Sequence, residues 1–135
     1  MLKLIIGVKG TGKTKDLIAR VNDASNSSAG VVVCIEKGIG LRFDVKPQVR
    51  LINTNEYCVF DADALYGFIA GILASNHDIT DVFVDSALKI ANNDIVAFDT
   101  LVKEVDELSQ KLNVNIVMTS SIPAEEASDI VKKYI

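Results

Sequence analysis

A chain of 135 residues with 49% apolar and 24% charged side chains has the length and balance of one folded domain, residues 1–135, and excludes a disordered chain or two large domains. The net charge of −4 argues against a surface built for non-specific nucleic-acid binding, which needs many lysines and arginines against phosphates. Two isolated cysteines, Cys34 and Cys58, form no metal-ligand pattern or disulfide framework and read as buried thiols.

In chain order, a short apolar strand is expected over Leu2–Ile6, followed at once by the glycine-rich stretch Gly7–Thr14. A helix over Lys13–Val21 places Leu17, Ile18 and Val21 on one stripe, and polar Asn22–Gly30 reads as the loop that ends it. Val31–Ile35 is the second strand. Residues Lys37–Thr54 leave two readings open, a small hairpin or an added edge strand, with Leu41–Asp44 and Val49–Ile52 flanking Lys46-Pro47-Gln48.

Asp61–Ala74 is apolar nearly all round and reads as a deep helix, with Gly67 and Gly71 admitting a close neighbour. Tyr66 and Phe68 on it read as core residues. Its uncharged run Ala64–Ala74 is too short to cross a bilayer, and the N-terminus lacks the features of a cleaved signal, so a cytoplasmic location away from membranes is expected. His77 falls in a solvated loop. Strand Val82–Val84, the amphipathic helix Ile95–Leu112 and strand Val114–Met118 complete the pattern. Strands without clean alternation, separated by helices, predict an α/β fold: a three-layer αβα sandwich with a mainly parallel sheet of four to five strands.

Gly7-Val8-Lys9-Gly10-Thr11-Gly12-Lys13-Thr14 matches GxxxxGK[ST] at every fixed position, between a strand and a helix. That context aims several backbone N–H groups and the positive helix end at one anion. Glycines let the loop turn tightly and approach phosphates without intervening side chains. The candidate nucleotide-binding residues are therefore Gly7, Lys9, Gly10, Thr11, Gly12, Lys13 and Thr14. Lys13 is positioned for the outer phosphates, and the Thr14 hydroxyl for magnesium. Asp85, directly after Val82–Val84, would be the acidic partner of that metal, its alternative role being a turn or helix cap. ATP with Mg2+ is the expected ligand, since Asn92-Asn93-Asp94 lacks the lysine of a guanine motif.

With this loop, with Val84-Asp85-Ser86 after an apolar strand and with Cys34-Ile35-Glu36 ending another, the chain resembles the ATPase core of RecA-like P-loop NTPases. It is also similar, over most of its length, to small ATP-binding proteins of Gram-positive bacteria that consist of little beyond this core. The resemblance implies that Glu36 orients or deprotonates an attacking water, so Lys13, Glu36 and Asp85 form the candidate catalytic set. Thr119-Ser120-Ser121 stands where RecA-like proteins usually carry an amide; a hydroxyl there could sense the terminal phosphate, or Ser120 or Ser121 could cap the next helix near Pro123. Arg20, Arg42 and Arg50 are the only arginines, and none is singled out for a neighbouring subunit's phosphate.

Three functions remain open on sequence. One is a slow ATPase acting as a nucleotide-dependent switch for a protein partner or through self-association, with segments such as Lys37–Pro47 ordered by nucleotide. A nucleoside or small-molecule kinase of the thymidine-kinase type is the second, though Ser86 stands where those usually place glutamate and no cysteine-rich zinc segment is present. The third is a non-hydrolysing ATP-binding module.

Overall fold

A computed structural model describes all residues, Met1–Ile135. The elements are β1 (Leu2–Ile6), α1 (Lys13–Ser27), β2 (Val31–Glu36), β3 (Arg50–Asn53), α2 (Ala62–Ser75), β4 (Ile79–Val84), α3 (Ala87–Ile90), α4 (Ile95–Leu112), β5 (Asn115–Ser120) and α5 (Asp129–Lys132), with single 3-10 turns at Thr54–Tyr57 and Ala124–Glu126. All five strands are parallel, in the order β1-β5-β4-β2-β3. No helix is long and apolar enough to cross a membrane.

Alternate residues of each strand serve opposite faces, and both faces are buried in the centre. Val33, Ile35, Val82, Val84, Ile116 and Met118 meet α2, α3, α4 and α5 in a core of 27 buried residues. The other face is covered by α1 and by the segment after β2: Leu17 and Val21 pack with Val32, Cys34 and Phe83, and with Leu41, Val45 and Val49, in a core of only 8. The sandwich therefore has one thick helical layer and one thin layer completed by loop side chains. At the β1 edge, the Leu4 N–H donates to the Tyr134 carbonyl at 2.7 Å, so the C-terminal turn occupies part of that edge.

Several expectations are corrected. The first helix continues through Asn22–Ser27, because Asn22 is held from outside: its side chain donates to the Asp44 carbonyl at 2.9 Å and accepts the Lys46 N–H at 3.0 Å. Of the two readings of Lys37–Thr54, the edge strand is the one formed, since Arg50–Asn53 pairs parallel with β2. The Asp61–Ala74 helix starts at Ala62, with the Asp61 carboxylate accepting the Ala64 N–H at 2.8 Å as its cap. It is buried on one face only, and added methyl groups at Gly67 and Gly71 would meet nothing within 4 Å, so neither glycine serves a close approach. Cys58 is exposed in a left-handed turn, whereas Cys34 is buried as expected. Burial, with Glu36 and Asp85 nearby, pushes the Cys34 thiol up to about 12, which leaves it unreactive.

Candidate functional site

Gly7–Thr14 leaves the carboxyl end of β1 and opens α1. A methyl group on Gly7 would lie 2.7 Å from the Thr11 hydroxyl, which would have to shift from its bond to the Val8 carbonyl to admit it. Gly12, at φ +85°, is the left-handed residue from which the helix departs. The first main-chain bond of the turn is Asp16 N–H to the Gly12 carbonyl at 3.0 Å, and the amides from Lys9 to Lys15 donate to no acceptor in the chain. Within the loop, the Thr11 hydroxyl and the Lys13 ammonium both donate to the Val8 carbonyl at 2.8 Å. The result is a turn whose Val8 carbonyl is engaged from within and whose amides are left open at the start of a 15-residue helix.

Beside it, the Thr14 hydroxyl donates to the Asp85 carboxylate at 3.1 Å, joining residues from α1 and the end of β4. Between them lies β5, and its Thr119 hydroxyl also donates to Asp85, at 2.8 Å, while accepting the Ser86 N–H at 2.8 Å. Two hydroxyls therefore fix one carboxylate, leaving oxygens of Thr14 and Asp85 together as a hard-ligand pair suited to magnesium. Sequence reading placed Thr119 at the end of its strand but gave no sign of its bond to Asp85. Ser120 does not cap the turn after Pro123; its hydroxyl donates to the Thr119 carbonyl at 2.7 Å and accepts the Leu88 N–H at 3.3 Å, so it pins α3 instead. Asp85 is not a helix cap either, since α3 starts from Ser86 with no side-chain cap bond.

A cleft of about 460 Å³ opens over these groups. Lys9, Lys13 and Lys15 line it on the loop side, and Lys89 and Asn93 line it from α3 and the turn that follows. Lys89 and Asn93 were missed in the sequence. The available signal was Asp85-Ser86 followed by Ala-Leu-Lys-Ile, one turn of good helix formers that carries Lys89 back over the strand end.

Glu36 falls beside Asp85, since Ile35 pairs with Val84 and the Asp85 N–H donates to the Ile35 carbonyl at 2.8 Å. It does not line this cleft. Its carboxylate is buried and accepts the Leu41 N–H at 3.2 Å, tying down the segment after β2. Burial raises the Glu36 carboxyl above the ordinary carboxylate value; the Leu41 and Gly40 amides pull it back, and Asp85 adds to the rise. None of the arginines reaches the cleft: Arg20 pairs with Asp16 at 2.9 Å, and Arg42 and Arg50 lie together on the β2–β3 flank. His77 is exposed in a turn, as expected.

No family model and no curated protein matches this chain. Among solved structures it is similar to a KaiC-like protein from the hyperthermophilic archaeon Pyrococcus horikoshii OT3, with 14% sequence identity and a TM-score of 0.70 over 98% of this chain. The chain spans 66% of the length of that structure. At this identity the likeness concerns the backbone, and it establishes that the all-parallel sheet flanked by helices is a RecA-like α/β fold.

Proposed function

We propose that the protein binds Mg-ATP in the cleft over β5 and acts as a slow ATPase whose nucleotide state is passed to a protein partner. The observation that carries this reading is the run of outward amides, Lys9–Lys15, which no atom of the chain accepts, beside the Thr14–Asp85 pair. Unpaired backbone donors at a helix start are costly when water is displaced, and a polyphosphate supplies acceptors for several at once. Lys13 needs only to leave the Val8 carbonyl to reach a phosphate. Thr14 and Asp85 would hold magnesium, which would supply Lewis-acid stabilisation of the phosphate charge.

Glu36 supports slow turnover. Its carboxylate is engaged by Leu41, so its use toward water requires the segment from Lys37 to Pro47 to shift. That requirement couples chemistry to a surface segment carrying Ile39 and Phe43, both exposed. The same bond favours one second reading, a module that binds ATP without hydrolysing it, in which Glu36 only fastens the segment.

Calorimetry with ATP, GTP and ADP, with and without magnesium, tests the site. Magnesium-dependent ATP binding that is lost in Lys13→Ala is expected, and the absence of any nucleotide binding in the wild type overturns the proposal. Phosphate release then separates the two readings: turnover lost in Glu36→Gln with binding retained supports the ATPase, and turnover unchanged in that variant removes Glu36 from the mechanism.

A further inference from the structure

We infer that Lys89 is a second phosphate-binding cation, supplied by the same chain from α3, that engages the terminal phosphate and makes the site prefer a triphosphate to a diphosphate. This rests on the Mg-ATP reading above and adds the determinant of phosphate number.

The cleft is lined by four lysines, Lys9, Lys13, Lys15 and Lys89, in a chain whose net charge is −4, and the carboxylate beneath it, Asp85, is held by Thr14 and Thr119. Three of the four belong to the loop and the first turn of α1, on the thin face of the sheet. Lys89 comes from the other side, because Ala87, Leu88 and Ile90 are buried in the larger core. The cleft therefore crosses the end of β5 from one face to the other, and a ligand held by the loop amides meets Lys89 at its far end.

Lys89 is also directed. Its neighbours Leu88 and Ile90 are 6% and 0% exposed, which anchors the turn, while Lys89 itself projects outward. The turn is pinned further by Leu88 N–H to Ser120 and by Ser86 N–H to Thr119. No carboxylate pairs with Lys89; the one ion pair in the chain is Arg20 with Asp16. A surface lysine kept for solubility needs neither a pinned turn nor a place in a cleft lined by three other lysines. A triphosphate differs from a diphosphate by one added negative charge, borne by the terminal phosphate; no arginine lines the cleft, Lys9, Lys13 and Lys15 all stand on the loop side, and Lys89 is the cation on the opposite side to meet it.

Calorimetry in magnesium with ATP and with ADP, on wild type, Lys89→Ala, Lys89→Arg and Lys13→Ala, tests this. Lys89→Ala should weaken ATP about tenfold while changing ADP less than about twofold, and Lys89→Arg should recover most of the loss. ATP and ADP weakened alike, or neither weakened, overturns the inference. In that case, loss of both nucleotides in Lys13→Ala leaves the Mg-ATP reading standing. Wild type that binds neither nucleotide removes both.

Discussion

Two loops leave the carboxyl edge of the sheet, one after β1 and one after β2, and they differ in how far their backbone amides are engaged by the chain itself. Between Gly38 and Val49 the chain ties down its amides at intervals: Gly38 N–H bonds Asn53 at 2.8 Å, Leu41 N–H bonds Glu36 at 3.2 Å and Lys46 N–H bonds Asn22 at 3.0 Å. Asp44, Val45 and Val49 donate to carbonyls within the segment, which also inserts Leu41, Val45 and Val49 into the thin core. From Lys9 to Lys15 no amide has an acceptor in the chain, and no side chain of the loop enters either core. A loop tied into the fold by its own hydrogen bonds contributes to folding, whereas a row of open donors at a helix start is suited to an anion. The contrast supports the proposed site more sharply than concavity does, since a larger hollow of about 680 Å³, beside Met1 and Tyr134, has no glycine loop and is lined by the Asp106 carboxylate.

The comparison breaks if the first loop proves structural or the second proves to hold nucleotide. The largest expected effect is on Lys13→Ala, which should weaken Mg-ATP by roughly 30- to 150-fold, about 2–3 kcal/mol for a charge-assisted contact, by calorimetry. Its nucleotide-free melting temperature should stay within about 2 °C of wild type, because the one hydrogen bond of the Lys13 side chain goes to the Val8 carbonyl within the same loop. A large drop in that temperature would make the loop a folding element.

Thr119→Val should act on both properties. It removes a donor to Asp85 and the acceptor of the Ser86 N–H, so urea unfolding should show a loss of about 1–3 kcal/mol, and the gain in ATP affinity on adding magnesium should shrink. Asn22→Ala tests the second loop alone. It unpairs the Lys46 amide and the Asp44 carbonyl, so a loss of about 1–2 kcal/mol with unchanged nucleotide affinity is expected. Altered affinity there would erase the distinction between the loops.

The smallest effect concerns Glu36 and pH. Its carboxyl is raised in the folded protein, chiefly by burial, so the native state holds this proton to higher pH than the unfolded chain does. This group's contribution to stability is full below the ordinary value of 4.5 and is lost as pH rises through the raised folded value. Melting temperatures of wild type and Glu36→Gln, followed from acid to neutral pH, should show the wild type losing stability relative to the variant across that window. Parallel curves would show that the Leu41 bond offsets the burial.

Much of the fold is legible in local pattern. The helix Ile95–Leu112 has the bounds that its apolar spacing indicates, and Leu2–Ile6 is a strand as read. Failures fall where a distant partner decides. Asn22 looks like the end of a helix until Asp44 and Lys46 occupy it, and Gly67 and Gly71 look like close-packing positions although that face of α2 meets no neighbour. Among candidate site residues, Thr14 and Asp85 come together, whereas Glu36 turns to Leu41, a partner five residues away that a strand-end glutamate does not advertise.

By itself the sequence determined the glycine turn between β1 and α1, because Gly7–Thr14 depends on glycines and on the adjoining strand and helix, all local features. The tertiary structure alone decided that β5 lies between β1 and β4, which puts Thr119 on Asp85 and brings Lys89 over the same cleft. Strand order in a parallel sheet is chosen by burying both faces under crossover helices, a long-range balance that the pattern of any single strand does not carry.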